Sequence, residues 1–236
     1  MKKLLLISNS SQPGKVFLEH VQSEIKDFLG TKKHVLFIPY AIHDYDAYEE
    51  KVVSGYGNFG IKVTSIHRAS DPVQAVMNAE ALFIGGGNTF RLLANLYKHQ
   101  LLEAIRKRVL AGMPYLGSSA GSVVACPTMK TTNDMPIIYP PSFDALNLVP
   151  FQINAHYIDK KPGDTHMGES REERLRQFHE ESTIPVIGLS EGGWLRITDD
   201  MMQLGGAETA FMKFFAPGKE AQIYNPPADT SFALRK

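Results

Sequence analysis

Ala81-Leu82-Phe83-Ile84-Gly85-Gly86-Gly87-Asn88-Thr89 and Pro114-Tyr115-Leu116-Gly117-Ser118-Ser119-Ala120-Gly121 share one pattern: an apolar run, a turn of small residues, and the start of a helix-period stretch. Neither run alternates polar with apolar, as a strand does when one face meets water, so both faces must be covered. Strands of that kind belong to a parallel sheet with helices on both sides. Their tight turns fall at the carboxyl ends of the strands, where such sheets form a crevice.

The pattern repeats on either side. Leu4 to Ile7, Val35 to Ile38 and Ile61 to Thr64 read as further strands. Val16 to Leu29, Tyr45 to Phe59, Pro72 to Asn78, Thr89 to Tyr97 and Leu101 to Leu110 read as amphipathic helices. Gly30 and Gly112 lie just past two of them, where a left-handed cap is favoured. After residue 127 the rhythm changes, and a proline-rich stretch to about residue 150 predicts a long excursion over the site end of the sheet. Phe151 to Ala155 then reads as a strand feeding the same edge, Glu169 to Glu181 as a charged helix, and Pro185 to Leu189 as a strand. Trp194 to Leu204 reads as a hairpin around Asp199-Asp200. With no repeat or linker, residues 1–236 are expected to form one α/β domain, doubly wound on a mostly parallel sheet.

Composition narrows the function. Lys+Arg and Asp+Glu are equal at 25 each, so no broad basic field gathers nucleic acid or anionic membrane. The single cysteine, Cys126, allows neither an internal disulfide nor a CxxC zinc cluster. No metal or cofactor is expected. The opening apolar run stops at Ser8-Asn9-Ser10-Ser11, short of the roughly 7–15 residues of an export signal's core. No stretch approaches the roughly 20 apolar residues of a membrane span. A cytoplasmic location is the expectation.

Gly117-Ser118-Ser119-Ala120-Gly121 matches the G-x-S-x-G elbow, in which a tight turn lifts the central serine above the sheet edge. Ser119 has the central spacing, and Ala120 N–H is a natural oxyanion donor at the helix start. The plainer alternative is a strand-to-helix turn with capping serines. Gly85-Gly86-Gly87 lets a second backbone N–H approach, while the lack of GxGxxG spacing and of a GK[ST] pair argues against a nucleotide. Ser119 needs a base, and His156, ending the strand from Phe151, is the candidate among eight histidines. Two carboxylates are placed to orient it: Glu191, after the strand to Leu189, and Asp134, in the polar knot Thr131-Thr132-Asn133-Asp134. Spacing does not choose between them. In the charged run Gly168 to Arg174, Arg171 is the best candidate to clamp a substrate carboxylate, against the plain reading of a solvated helix start.

Taken together, these residues resemble peptidase E, the α-aspartyl dipeptidase family of serine peptidases. The resemblance is carried by Ser8-Asn9-Ser10 with Pro13-Gly14-Lys15, by Ile66-His67-Arg68 with Asp71-Pro72, and by Gly85 to Phe90. It continues through Ser119-Ala120-Gly121, Ala125 to Thr128, Thr131 to Pro136, Phe143 to Leu146, Gln152-Ile153-Asn154 with His156, and Gly188-Leu189 with Glu191-Gly192. It implies a flavodoxin-like α/β sandwich, akin to class I glutamine amidotransferase domains, that cleaves Asp-X dipeptides without a metal. The family's nucleophile falls on Ser119, its base on His156 and its acid on Glu191, with an aspartate matching Asp134 also required. Its oxyanion donors map to Gly87 and Ala120. Recognition of the substrate aspartate maps to Arg171, with Asn88 and Glu169 as further substrate-binding residues. The implied partner is a small acidic peptide, and the implied assembly a monomer or homodimer. Two other readings keep the fold. A cyanophycinase-like peptidase would act on β-linked aspartyl polymers, and a flavodoxin-like binding module would have no catalysis. A serine-reactive phosphonate would label either enzyme but not the binder.

Overall fold

A computed structural model of the protein describes residues 1–160, 163, 165 and 167–235. In chain order the first half runs β1 (Lys3–Ile7), α1 (Gln22–Leu29), β2 (His34–Ile38), α2 (Tyr45–Gly57), β3 (Lys62–Ser65), α3 (Pro72–Asn78) and β4 (Leu82–Ile84). Then come α4 (Thr89–Lys98), α5 (Leu101–Leu110), β5 (Tyr115–Ser118) and α6 (Ala120–Val123). The second half adds β6 (Gln152–Tyr157), α7 (Arg171–Glu180), β7 (Val186–Ser190), β8 (Gly193–Thr198), β9 (Met201–Gly206), β10 (Met212–Phe215), β11 (Gln222–Tyr224) and β12 (Ala228–Asp229).

Strands β1 to β5 pair in parallel in the order β1-β5-β4-β2-β3. The hairpin β8-β9 extends this sheet beyond β1 with antiparallel pairing, and β12 closes its edge. The missing polar alternation is explained by the two cores. Leu4, Leu6, Leu36, Ile38, Leu82 and Ile84 pack on one face with α3 to α6, whereas Leu5, Ile7, Val35, Phe37, Phe83 and Leu116 pack on the other with α1 and α2. Asp71 and Asn88 accept from backbone N–H groups to cap α3 and α4, and Pro72 sits where its missing N–H costs nothing. The first helix is shorter than its pattern, because Leu18 is left-handed (φ 59°) and a 3-10 turn precedes Gln22.

Strands β6 and β7 do not join the parallel sheet; they form a second sheet of four, in the order β11-β10-β7-β6. Ile153, Ala155, Ile187, Leu189 and Met212 turn one of its faces into the core shared with β8 and β9. On the other face, Tyr157, Val186 and Phe215 pack with Leu175 of α7. The strand carrying His156 therefore reaches the site from a separate layer.

Candidate active site

The β5–α6 turn is shaped by close approach. A Cβ on Gly117 would lie 2.5 Å from Gly121 O, and one on Gly121 would lie 2.0 Å from Ile84 O, so neither position admits a side chain. Ser119 is held at φ 52°, ψ −112°, with its N–H on Ile7 O at 2.9 Å. Such a backbone costs about 1–3 kcal/mol and persists only when its surroundings fix it. Of the neighbouring serines, Ser118 is fully buried, and Ser122 Oγ donates to Ile7 O and Gly117 O. Ser119 alone of the three is partly open.

The glycine turn after β4 passes directly against this serine. A Cβ on Gly86 would be 3.0 Å from Ser119 Cβ, and Gly87, at φ +132°, would clash with Ala41 O at 2.6 Å. Asn88 N–H is bonded to Ala41 O. Among the described residues, the N–H groups of Gly87 and Ala120 meet no acceptor, and they border Ser119 from two turns.

His156 lies at a bulge between Ala155 and Tyr157, also left-handed at φ 54°. Its Nε2 is 2.9 Å from Ser119 Oγ and its Nδ1 is 2.8 Å from Glu191 Oε1. Glu191 follows β7 directly, and Gly192 (φ +79°) turns the chain into β8. The three side chains thus form one hydrogen-bonded series drawn from both sheets.

Asp134 is elsewhere. Its Oδ2 accepts from Thr89 N–H (2.7 Å), Thr89 Oγ1 (2.6 Å) and Thr132 Oγ1 (3.0 Å). It thereby ties the long loop to the first turn of α4 and makes no bond to His156. Asn88 is similarly committed, its Oδ1 to Arg91 N–H and its Nδ2 to Met135 O. Exposed Glu169 bonds Gln177 (2.8 Å) and lies 3.7 Å from Arg174, along α7. Arg171 opens α7 and donates to Asn133 Oδ1 at 2.6 Å, while Asn133 Nδ2 donates to Ala155 O beside His156. Burial, and then the nearby Arg174, lower the Arg171 guanidinium from its usual value, yet arginine stays charged. Among the described residues no carboxylate pairs with it, and through Asn133 it is linked to the strand that carries His156.

Thr89 and Thr132 were not singled out by spacing, because hydroxyls that hold a carboxylate leave no periodic mark. The motif around His67 is structural: Arg68 bonds Asp46 (2.6 Å) and Glu49 (3.0 Å), and His67 Nε2 meets Asp46 (2.9 Å), pinning the turn after β3 to α2.

An elbow serine, an imidazole and a carboxylate in series on an α/β sheet define a serine-type hydrolase. The model for peptidase family S51 matches residues 4–205. The chain belongs to that family. It is 51% identical over 207 residues to a peptidase E of Streptomyces coelicolor, covering 88% of this chain and 85% of the relative. Over 238 residues it is 44% identical to a probable alpha-aspartyl dipeptidase of Drosophila melanogaster, covering 100% and 98% of the two chains. Two solved structures share the fold. They are a putative peptidase E of Listeria monocytogenes (TM-score 0.62, 24% identity, 95% and 98% covered) and a peptidase from an acI-B1 actinobacterium (TM-score 0.71, 16% identity, 98% and 97% covered).

Proposed function

We propose that this peptidase hydrolyses dipeptides with an N-terminal aspartate, using Ser119 as nucleophile, His156 as base and Glu191 as acid. The observation that carries the reading is the Ser119–His156–Glu191 series at 2.9 and 2.8 Å. Ser119 Oγ attacks the aspartyl carbonyl carbon while Nε2 of His156 takes its proton. The oxyanion is met by the N–H groups of Gly87 and Ala120; losing one such donor typically costs about 3 kcal/mol. As the C–N bond breaks, His156 passes the proton to the leaving amine. Water, deprotonated by His156, then attacks the ester, and the proton returns to Ser119 as aspartate leaves. Glu191 fixes the imidazole tautomer and balances its charge.

Arg171, charged and without a carboxylate partner among the described residues, supports selection of the acidic side chain. Asp134 and Asn88 support the glycine turn rather than the substrate, and Glu169 supports α7. No described helix is long and apolar enough to cross a membrane. The one cysteine, Cys126, is buried and free, which accords with the cytoplasm, where we place the enzyme.

The test is hydrolysis of Asp-Leu beside Glu-Leu, Asn-Leu, Ala-Leu and β-Asp-Arg, by wild type and Ser119→Ala. Cleavage confined to Asp-Leu and lost in the variant is the expected result. Activity in Ser119→Ala removes the nucleophile assignment, and preference for β-Asp-Arg moves the substrate to β-linked peptides.

A further inference from the structure

The carboxyl end of β1 bonds the backbones of Ser119 and His156 and those of two residues flanking Glu191, although it supplies no group to the chemistry above. Ile7 O accepts from Ser119 N–H at 2.9 Å. Ser8 Oγ accepts from His156 N–H at 3.0 Å and donates to Leu189 O at 2.8 Å. Asn9 Oδ1 accepts from Gly192 N–H at 2.7 Å, and its Nδ2 donates to Ser11 O at 2.6 Å. Leu189 and Gly192 bracket the short segment that carries Glu191. Ser8 is fully buried and Asn9 nearly so. These contacts go to backbone, so both side chains act through other residues.

Buried polar groups at a strand end often serve packing alone. Two features point further here. His156 is held at φ 54°, a conformation uncommon outside glycine although His takes it more readily than most residues, and its N–H is bonded to Ser8. Moreover, His156 and Glu191 stand on or beside strands of the second sheet, while Ser119 stands on the first. Ser8 and Asn9 cross that boundary at the site itself.

We propose that Ser8 and Asn9 are positioning residues, fixing the second sheet on β1 so that His156 reaches Ser119 and Glu191 reaches His156. The inference rests on the proposed roles of those three residues. Misplacement of a reacting group by about 1 Å costs on the order of 10²-fold in rate, whereas binding through Arg171 is untouched.

Asp-Leu hydrolysis and thermal melts of Ser8→Ala, Ser8→Thr, Asn9→Ala and Ser119→Ala test it. Ser8→Ala and Asn9→Ala are expected to fold and to lose roughly 10- to 100-fold in kcat, with KM within about twofold of wild type. Ser8→Thr, which keeps the hydroxyl, should recover most of the rate. Folded Ser8→Ala and Asn9→Ala enzymes with wild-type kcat overturn the proposal. So does a loss that follows only the fraction of unfolded protein and is no smaller in Ser8→Thr. Should Ser8→Ala not fold, Asn9→Ala decides by the same criteria. Activity in Ser119→Ala overturns the underlying reading instead, while an inactive Ser119→Ala beside a full-rate Ser8→Ala overturns the positioning role alone.

Discussion

Glu191 and Asp134, the two carboxylates between which spacing did not choose, have different partners. Glu191 accepts from an imidazole at 2.8 Å, whereas Asp134 accepts from one backbone N–H and two hydroxyls around Thr89. Their isosteric amides should therefore fail differently. Glu191→Gln puts an amide against Nδ1 and disfavours the required tautomer, so kcat for Asp-Leu should fall about 10³–10⁴-fold with little change in melting temperature. Asp134→Asn weakens the hold on α4, and its first effect should be on stability, by about 1 kcal/mol, with a smaller rate loss through the glycine turn. Steady-state rates and melts of both variants check this. A Glu191→Gln enzyme as fast as wild type would take Glu191 out of the mechanism. Spacing alone did not make the choice, since Glu191 follows a strand and Asp134 sits in a polar knot, each a suitable place for a site carboxylate, and the meeting of the two sheets separates them. His156 was singled out by its place at a strand end, but nothing local records that a bulge in one sheet faces an elbow in the other. Ser119 was legible, as its turn is dictated by glycines a few residues away.

Among the elements, α7 shows how a charged helix is seated. Lys213 of β10 bonds Glu172 in its first turn (2.8 Å) and Asp159 beyond β6 (2.9 Å), and Tyr157 OH donates to the same Asp159. Burial alone would lower the Lys213 ammonium; the bonds to Glu172 and Asp159 outweigh it and raise the value above 10.5. A raised lysine contributes stability that is fully present below its unfolded value and is lost as pH climbs through the folded one. Lys213→Met should cost about 2 kcal/mol at neutral pH, less than the ~3–5 of a fully buried pair because both acids are part-exposed. That gap from wild type should shrink on the alkaline side. Urea unfolding of both proteins near pH ~8 and ~11 measures it, and an unchanged gap would mean the ammonium is not its source. Helix α7 itself could be foreseen, because its Ser170–Glu173 capping box is local. Its seat could not, since Lys213 is remote in sequence and β10 is only four residues long.

In the whole molecule, the chain beyond the family match bears on the site. The match ends at residue 205, and β10 to β12 are too short to signal themselves by pattern. Yet β10 pairs with β7 from Met212↔Leu189 to Phe215↔Val186, and Ser190 N–H donates to Phe211 O. Strand β7 leads straight into Glu191, so its outer neighbour helps hold that residue in place. Burial of Met212 and Phe215 is worth roughly 3–6 kcal/mol together, a large share of the 5–15 kcal/mol that stabilises a typical domain. Ending the chain after Gly206 should therefore give a protein without a cooperative melt and without Asp-Leu hydrolysis. Ending it after Tyr224 removes β12 and Ala233 from the far edge of the first sheet but leaves β10 on β7. That shorter cut should lower the melting temperature and keep most of kcat. Circular-dichroism melts and rates of the two truncations separate the contributions. If the chain ending at Gly206 is folded and active, β10 is not what secures β7, and Glu191 must be held by β8 and by the end of β1 alone.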